Sequence, residues 1–158
     1  GPISHLLMNK ITHLTINLYL QKKIPTEDEP MIFEAILFFD DCLYLLNGHF
    51  QSLSKLIIRI KEINRSLSNT NNTKKLVKLK SFSLISEWYT RYYDKLIVPL
   101  LGRMLNLEEL SLQISILRIQ STYIDGNQLY DDILKYMTQL KKFTFNIHTH
   151  VLNNNPIR

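Results

Sequence analysis

Residues 107–114 read Leu-Glu-Glu-Leu-Ser-Leu-Gln-Ile, with apolar side chains at Leu107, Leu110, Leu112 and Ile114. Beyond the first two-residue gap, apolar and polar residues alternate, which is typical of a strand with one buried face. The same pattern occurs four more times along the chain. The other copies are Ile11, Leu14, Ile16 and Leu18; Leu53, Leu56, Ile58 and Ile60; Leu79, Phe82 and Leu84, with Ser86 in the last place; and Leu140, Phe143, Phe145 and Ile147.

The spacing of the copies predicts a repeat architecture. Their second positions, at residues 14, 56, 82, 110 and 143, are 42, 26, 28 and 33 residues apart. Three of these distances lie near or slightly above the leucine-rich-repeat period of roughly 20–29 residues. A strand, a connection and a second strand parallel to the first form one unit, and such units stack on their neighbours.

The connections between the copies carry helix signals. Asp40–Gly48 begins with capping carboxylates and ends in glycine. Asp94–Met104 is apolar at helical spacing, and Pro99 is expected to kink this helix or to restart a turn. Asn127–Met137 follows an Asp-Gly turn and has apolar residues on one face. Ser66–Thr73 is polar and is predicted to be a loop, whereas Met31–Phe39 suits either a buried helix or a strand, with its preceding residues favouring helix.

These features predict an α/β fold, a leucine-rich-repeat-like solenoid with a parallel sheet on its concave side and helices on its convex side. The alternative is a compact α/β sandwich whose strands are similar by coincidence. We expect a lead-in over residues 1–10 that includes a tag-cleavage scar at Gly1-Pro2, one domain of about five irregular repeats over 11–150, and a polar tail over 151–158.

Composition excludes several protein classes. The 158 residues are 45% hydrophobic and 21% charged, so the chain can bury a core and is unlike a disordered sequence. A single cysteine, Cys42, excludes an internal disulfide and a multi-cysteine zinc site. No apolar run reaches the roughly 20 residues that span a bilayer. A reducing compartment, the cytoplasm or the nucleus, is therefore the expected location.

Positive charge is concentrated in one segment. The chain carries a net charge of +5, yet residues 55–80 contain eight lysines and arginines against Glu62 alone. The segment suits a nucleic acid or a phosphorylated partner, with Lys74, Lys75, Lys78 and Lys80 as its candidate residues. An ordinary solvated surface is the favoured interpretation, because clustered lysines without a motif are weak evidence for binding and aromatic residues that would stack on bases are absent from the segment.

Three stretches resemble a known family. Residues 39–48 (Phe-Asp-Asp-Cys-Leu-Tyr-Leu-Leu-Asn-Gly), 99–110 (Pro-Leu-Leu-Gly-Arg-Met-Leu-Asn-Leu-Glu-Glu-Leu) and 122–132 (Thr-Tyr-Ile-Asp-Gly-Asn-Gln-Leu-Tyr-Asp-Asp) resemble the leucine-rich repeats of F-box proteins, above all the set expanded in bdelloid rotifers. The resemblance covers roughly residues 11–150. It implies the substrate-recognition repeats of a ubiquitin ligase receptor, whose F-box would lie outside this segment and dock on the ligase adaptor.

Candidate binding residues lie between the apolar positions of each strand, because alternate side chains of a strand point to opposite faces. Ile57 and Ile85 could form a small apolar centre with a polar rim. The predicted partner-binding residues are Lys55, Ile57, Arg59, Ser83, Ile85, Ser111, Gln113 and Thr144. A second cluster, Trp88, Tyr89, Tyr92 and Tyr93, is expected just after the third strand, either at an interface or packed beneath a loop.

Catalytic and metal-binding patterns are missing. Four scattered glycines form no phosphate-binding loop. His148 and His150 share a strand face, but a zinc site needs further ligands, so we predict no metal and no cofactor. Cys42 is interpreted as a small core residue without catalytic partners. The sequence therefore predicts a protein-binding module and no enzyme, with a possible dimer through an exposed edge strand.

Overall fold

The computed structural model describes residues 10–18, 39, 50–64, 74–119 and 121–153. Within these ranges the chain forms one five-stranded sheet whose strands are all parallel and follow each other in sequence order. The strands are β1 (His13–Leu18), β2 (Lys55–Ile60), β3 (Ser81–Thr90), β4 (Glu109–Ile119) and β5 (Lys142–Leu152). The prediction of an α/β fold with five parallel strands is confirmed, and each strand includes the alternating part of one apolar pattern.

The strands are in phase with the sequence pattern. The register aligns Leu14, Leu56, Phe82, Leu110 and Phe143, which are the second positions of the five copies. The strands β2 to β5 also begin with the same hydrogen-bond pattern. At the start of each strand, two successive backbone amides donate to one carbonyl of the preceding unit. These shared acceptors are the carbonyls of Thr12, Ser54, Lys80 and Glu108, at distances of 2.8–3.0 Å.

One face of the sheet holds the core. The alternating apolar side chains of β2, β3 and β4 are buried, and Ser86 is buried with them in the last place of the third copy. Tyr93, Ile97 and Leu101 pack against this face from the β3–β4 connection, and Leu129, Ile133 and Met137 do so from the β4–β5 connection. Phe39, a helical residue with no exposed surface, belongs to the same core. We call this side of the sheet the core face.

The connection after β3 is divided into two short helical turns. Tyr93–Ile97 forms a π-helical turn, and α1 (Val98–Leu101) follows it directly. Pro99 lies at the beginning of α1, where a residue without an amide proton is tolerated. The expectation that Pro99 kinks the helix over Asp94–Met104 or restarts a turn agrees with this change from a π-helical to an α-helical turn, because Pro99 cannot donate the hydrogen bond that a helix interior requires.

The connection after β4 is also divided. α2 (Gly126–Asp132) is capped by Asp125, whose carboxylate accepts a 2.8 Å hydrogen bond from the amide of Gln128. A 3₁₀ turn over Leu134–Tyr136 follows. The single helix predicted over Asn127–Met137 breaks at Ile133, whose φ of −133° lies outside the helical region and whose side chain is buried.

The fifth apolar pattern is less buried than predicted. Phe145 occupies a core-face position of β5, yet 57% of its surface is exposed, and Phe143 and Ile147 are only half-buried. The reason is that β5 is the last strand of the sheet, with no described element beyond it. β5 also continues to Leu152, past the boundary predicted at residue 150.

Some predictions fall on residues outside the described ranges. They are the element over residues 31–38, the helix over 40–48 with Cys42 inside it, the polar loop over 66–73, and the assignments of residues 1–9 and 154–158. These stay predictions.

Candidate interaction surface

The opposite face of the sheet, which we call the open face, brings the predicted binding residues together. The register places Lys55 beside Ser81, Ile57 beside Ser83, and Arg59 beside Ile85. On the next strand, Ser111 lies beside Ser83 and Gln113 beside Ile85. Thr144 continues the row of Ser111 on β5. All eight predicted partner-binding residues therefore lie in three adjacent rows on one surface: Lys55; Ile57, Ser83, Ser111 and Thr144; and Arg59, Ile85 and Gln113.

The centre of the open face is apolar and its margin is polar. Ile57 and Ile85 lie on neighbouring strands one row apart, and both are half-buried. Lys55, Arg59, Gln113 and Thr144 around them are exposed. This distribution is that of a small interface centre inside a solvated rim.

Positive charge on this face comes from β2. Lys55 and Arg59 project from the strand, and Lys61 follows its last residue. No carboxylate in the described parts of the chain lies within ion-pairing distance of these three side chains. Glu109, at the start of β4, is an exposed acidic residue of the same face. The surface is thus cationic along β2 and mixed towards β4.

A bulge in β3 adds aromatic residues that were placed wrongly from the sequence. Ile85 pairs with Gln113 and Tyr89 with Ser115, so β3 advances four residues while β4 advances two. Trp88 and Tyr89 were expected after the third strand, but they lie within β3, beyond this irregularity. A bulge re-aims the side chains that follow it, and here it leaves about half of each ring exposed.

The exposed aromatic rings contact positively charged or titratable neighbours. The Lys61 ammonium nitrogen lies 4.5 Å from the centre of the Trp88 ring, within cation–π range. The centre of the Tyr89 ring is 5.6 Å from that of His150 on β5. Tyr89 therefore reaches across β4 and extends the open face towards the carboxyl ends of the strands.

The other two tyrosines of the predicted cluster have different environments. Tyr93 is buried, and its hydroxyl donates to Asp132 at 3.2 Å. Burial, and then the negative charge of Asp132, raise the pKa of Tyr93 well above that of an ordinary phenol. Tyr92 is half-buried. The loss of apolar–polar alternation at Ser86 is the only sequence signal that could have indicated the bulge and separated Trp88 and Tyr89 from the buried tyrosine.

The described residues of the basic segment, 55–64 and 74–80, lie in two different places. Lys55 and Arg59 belong to the open face, whereas Lys74, Lys75 and Lys78 lie in the loop before β3. These three lysines line a pocket of about 320 Å³ together with Phe50, Leu76 and Val77. The remaining candidate, Lys80, lies 4.0 Å from Glu108.

Part of the loop before β3 makes structural contacts. Lys75 donates to the carbonyl of Gly102 at 2.8 Å, and Arg103 donates to the carbonyl of Lys74 at 2.6 Å. Arg103 is buried, and desolvation lowers its pKa. These contacts join the loop to the end of the helical connection, which gives part of the basic segment a structural role.

The described residues contain no cluster of three His, Cys, Asp or Glu side chains that could hold a metal ion. His148 and His150 are both exposed on β5. No helix within the described ranges is long and apolar enough to cross a membrane. Comparison with protein-family models, with curated proteins and with solved structures gives no match for this chain.

Proposed function

We propose that this protein is a protein-interaction module, a leucine-rich-repeat-like solenoid that binds a partner through its open face. The observation that carries the proposal is the arrangement of the sheet. Parallel sheets are usually covered on both faces, but here the described connections pack on the core face and the opposite face keeps exposed side chains. Consecutive parallel strands with one uncovered face are typical of solenoids that bind proteins.

The composition of the open face supports a protein partner. Ile57 and Ile85 offer an apolar centre, and the exposed rings of Trp88 and Tyr89 are of the residue types that dominate binding energy at interfaces. Lys55 and Arg59 supply charges at the margin, where they influence association rate and partner choice more than affinity. Recognition on this surface requires no bond chemistry.

A narrower form of the proposal states which class of protein the partner belongs to. The resemblance to F-box proteins suggests that the open face holds the substrate of a ubiquitin ligase in the cytoplasm or nucleus. The adaptor of the ligase would then contact an F-box in the parent protein. This form is supported by the sequence resemblance of residues 39–48, 99–110 and 122–132.

A photo-crosslinking experiment tests the binding surface. A photoreactive amino acid at Ser83, on the open face, should crosslink a protein partner in cell extract, whereas the same residue at exposed Tyr136 should not. Ile57→Asp should lower the affinity for the crosslinked partner by about tenfold or more, since a charge is placed in an apolar interface centre. Tyr136→Asp is the matched control. Crosslinking from Tyr136 alone, or unchanged affinity in Ile57→Asp, would contradict the proposal.

A second candidate function uses the basic segment. The pocket lined by Lys74, Lys75 and Lys78 favours a nucleic acid or phosphorylated partner. Such binding should weaken steeply as salt increases and should be lost when these three lysines are replaced by alanine. Binding that is insensitive to both changes would exclude this candidate.

A further inference from the structure

A second pocket lies at the carboxyl ends of β3 and β4. It has a volume of about 270 Å³, and its polar lining consists of Arg91, Tyr93, Asp94, Arg118 and Ser121. The carboxyl ends of parallel strands are the usual place for ligand sites in open α/β sheets. Leu117, which also lines the pocket, is the register partner of His150, so the pocket adjoins the end of the open face.

Arg118 is the most unusual residue of this pocket. Its side chain is only 14% exposed, and one terminal nitrogen, Nη2, lies 3.5 Å from the Asp94 carboxylate. The other terminal nitrogen, Nη1, is buried and has no acceptor in the described part of the chain. A buried charged donor without an acceptor is unfavourable, and because this one belongs to a residue that lines a pocket, a ligand bound there can supply the acceptor.

The charges of the residues that line the pocket indicate the charge of its ligand. Arg91 and Arg118 contribute two positive charges, and Asp94 contributes one negative charge. Tyr93 is not a free donor, because its hydroxyl already donates to Asp132. The positive charges of the lining groups therefore exceed the negative ones by a single charge, which matches a monoanion.

We propose that this pocket binds a carboxylate group. A carboxylate is planar and has two oxygens, so it can accept from Arg118 with one and from the exposed Arg91 with the other, while Nη2 of Arg118 stays paired with Asp94. A phosphate, which carries more negative charge, would be repelled by Asp94 at the same pocket. The site is distinct from the rows around Ile57, so it does not depend on the function proposed above.

The carboxylate has two possible sources, a free small acid and an acidic side chain of a bound protein. Titrations of the whole chain with acetate and with a blocked tripeptide that carries one glutamate separate them. The side-chain Nε–H resonance of Arg118 reports binding in ¹⁵N-edited spectra, with ionic strength held constant by chloride. Saturable shifts with either probe support the site. Tighter binding of the peptide would show that the carboxylate comes from a protein side chain. Equal or tighter binding of acetate would show that it comes from a free acid.

Three variants test the geometry. Asp94→Asn removes the internal competitor and should tighten acetate binding about threefold, while Arg91→Gln should weaken it by about the same factor, as expected for one partly exposed charge pair. Lys95→Gln, which removes an exposed charge from the adjacent turn, is the control and should change nothing.

Three results overturn the proposal: no saturation by acetate or the peptide, even in Asp94→Asn; tighter binding of inorganic phosphate than of acetate; or an effect of Lys95→Gln as large as that of Arg91→Gln. Because Ile57→Asp should leave acetate binding unchanged, failure here is distinguishable from failure of the open-face proposal.

Discussion

Thr90 joins the end of β3 to the segment that follows β2 through one buried hydroxyl. Its Oγ1 donates to the carbonyl of Ile63 at 2.8 Å and accepts from the amide of Tyr92 at 3.1 Å. Both contacts lie where β3 ends and the helical connection begins. The hydroxyl therefore holds the end of β3, just beyond its bulge, against the segment that follows β2.

Replacing Thr90 by valine keeps the shape of the side chain and removes both hydrogen bonds. We expect the free energy of unfolding to fall by about 1–3 kcal/mol, because the carbonyl of Ile63 would stay buried without a donor. Urea unfolding followed by circular dichroism measures the change. Thr144→Val, at an exposed open-face position of β5, is the control, and equal stability of the two variants would contradict the assigned role of Thr90.

Glu108 lies between two lysines just before β4. Its carboxylate is 3.0 Å from the Lys141 ammonium group and 4.0 Å from that of Lys80. The hydrogen bond and charge of Lys141, followed by the charge of Lys80, lower the pKa of Glu108. Because the folded-state pKa is below the unfolded one, the stabilisation is present above the ordinary glutamate pKa and is lost as pH falls through the lowered value.

Glu108→Gln should therefore reduce Tm at neutral pH and leave it unchanged in strong acid. The difference in Tm between the native protein and the variant should shrink steadily as pH decreases through the acid range. Thermal melts at a series of pH values provide the test. Glu109→Gln, next to it but exposed and outside any ion pair of the described residues, should give no such trend; a trend of equal size would show that general charge causes the effect.

At the scale of elements, β4 and β5 differ in how deeply their core-face side chains are buried, and one pair of register partners shows this. Leu112 and Phe145 are adjacent across the strands, yet Leu112 is buried and Phe145 is largely exposed. Leu112→Ala should lower the free energy of unfolding by about 2–5 kcal/mol, since it removes buried methyl groups and leaves a cavity. Phe145→Ala should cost only about 1 kcal/mol, because most of its ring remains in water in the native protein.

Chemical denaturation of both variants compares these costs directly. The Phe145 ring stacks on Phe143 with centres 5.2 Å apart, so a small loss is still expected. Equal costs for the two substitutions would mean that β5 is covered in solution by something beyond the described residues, such as a second copy paired through an exposed edge strand.

At the scale of the whole molecule, stability should decrease from the middle of the sheet to its last strand. β3 and β4 have neighbouring strands on both sides and buried core-face residues, whereas among the described residues β5 pairs only with β4 and is half-exposed along its length. In repeat architectures each unit is stabilised by its neighbours, so the terminal unit opens first. Native-state hydrogen exchange should show slower exchange in β3 and β4 than in β5. Uniform protection across all three strands would contradict this gradient.

The sequence alone predicted the strands well because each strand is set by local alternation. The register partners Leu56, Phe82 and Leu110 were already aligned in the five copies of the pattern, and the structure pairs them as the copies imply. The eight residues proposed to bind a partner follow from the same alternation. The interruption at Pro99 was also expected from the sequence, whereas the helix break at Ile133 was not, since it depends on how a short connection fits onto the core face.

What the sequence by itself determined is which side chains of each strand share a face, because this depends only on the two-residue period of an extended chain. The tertiary structure decided which face is covered, how far each strand is buried and where distant residues meet. The exposure of Phe145, the contact of Tyr89 with His150 and the lack of an acceptor for one Arg118 nitrogen among the described residues all depend on parts of the chain that are far apart in sequence. Such contacts are set by packing across strands and at strand ends, and a local pattern carries no information about them.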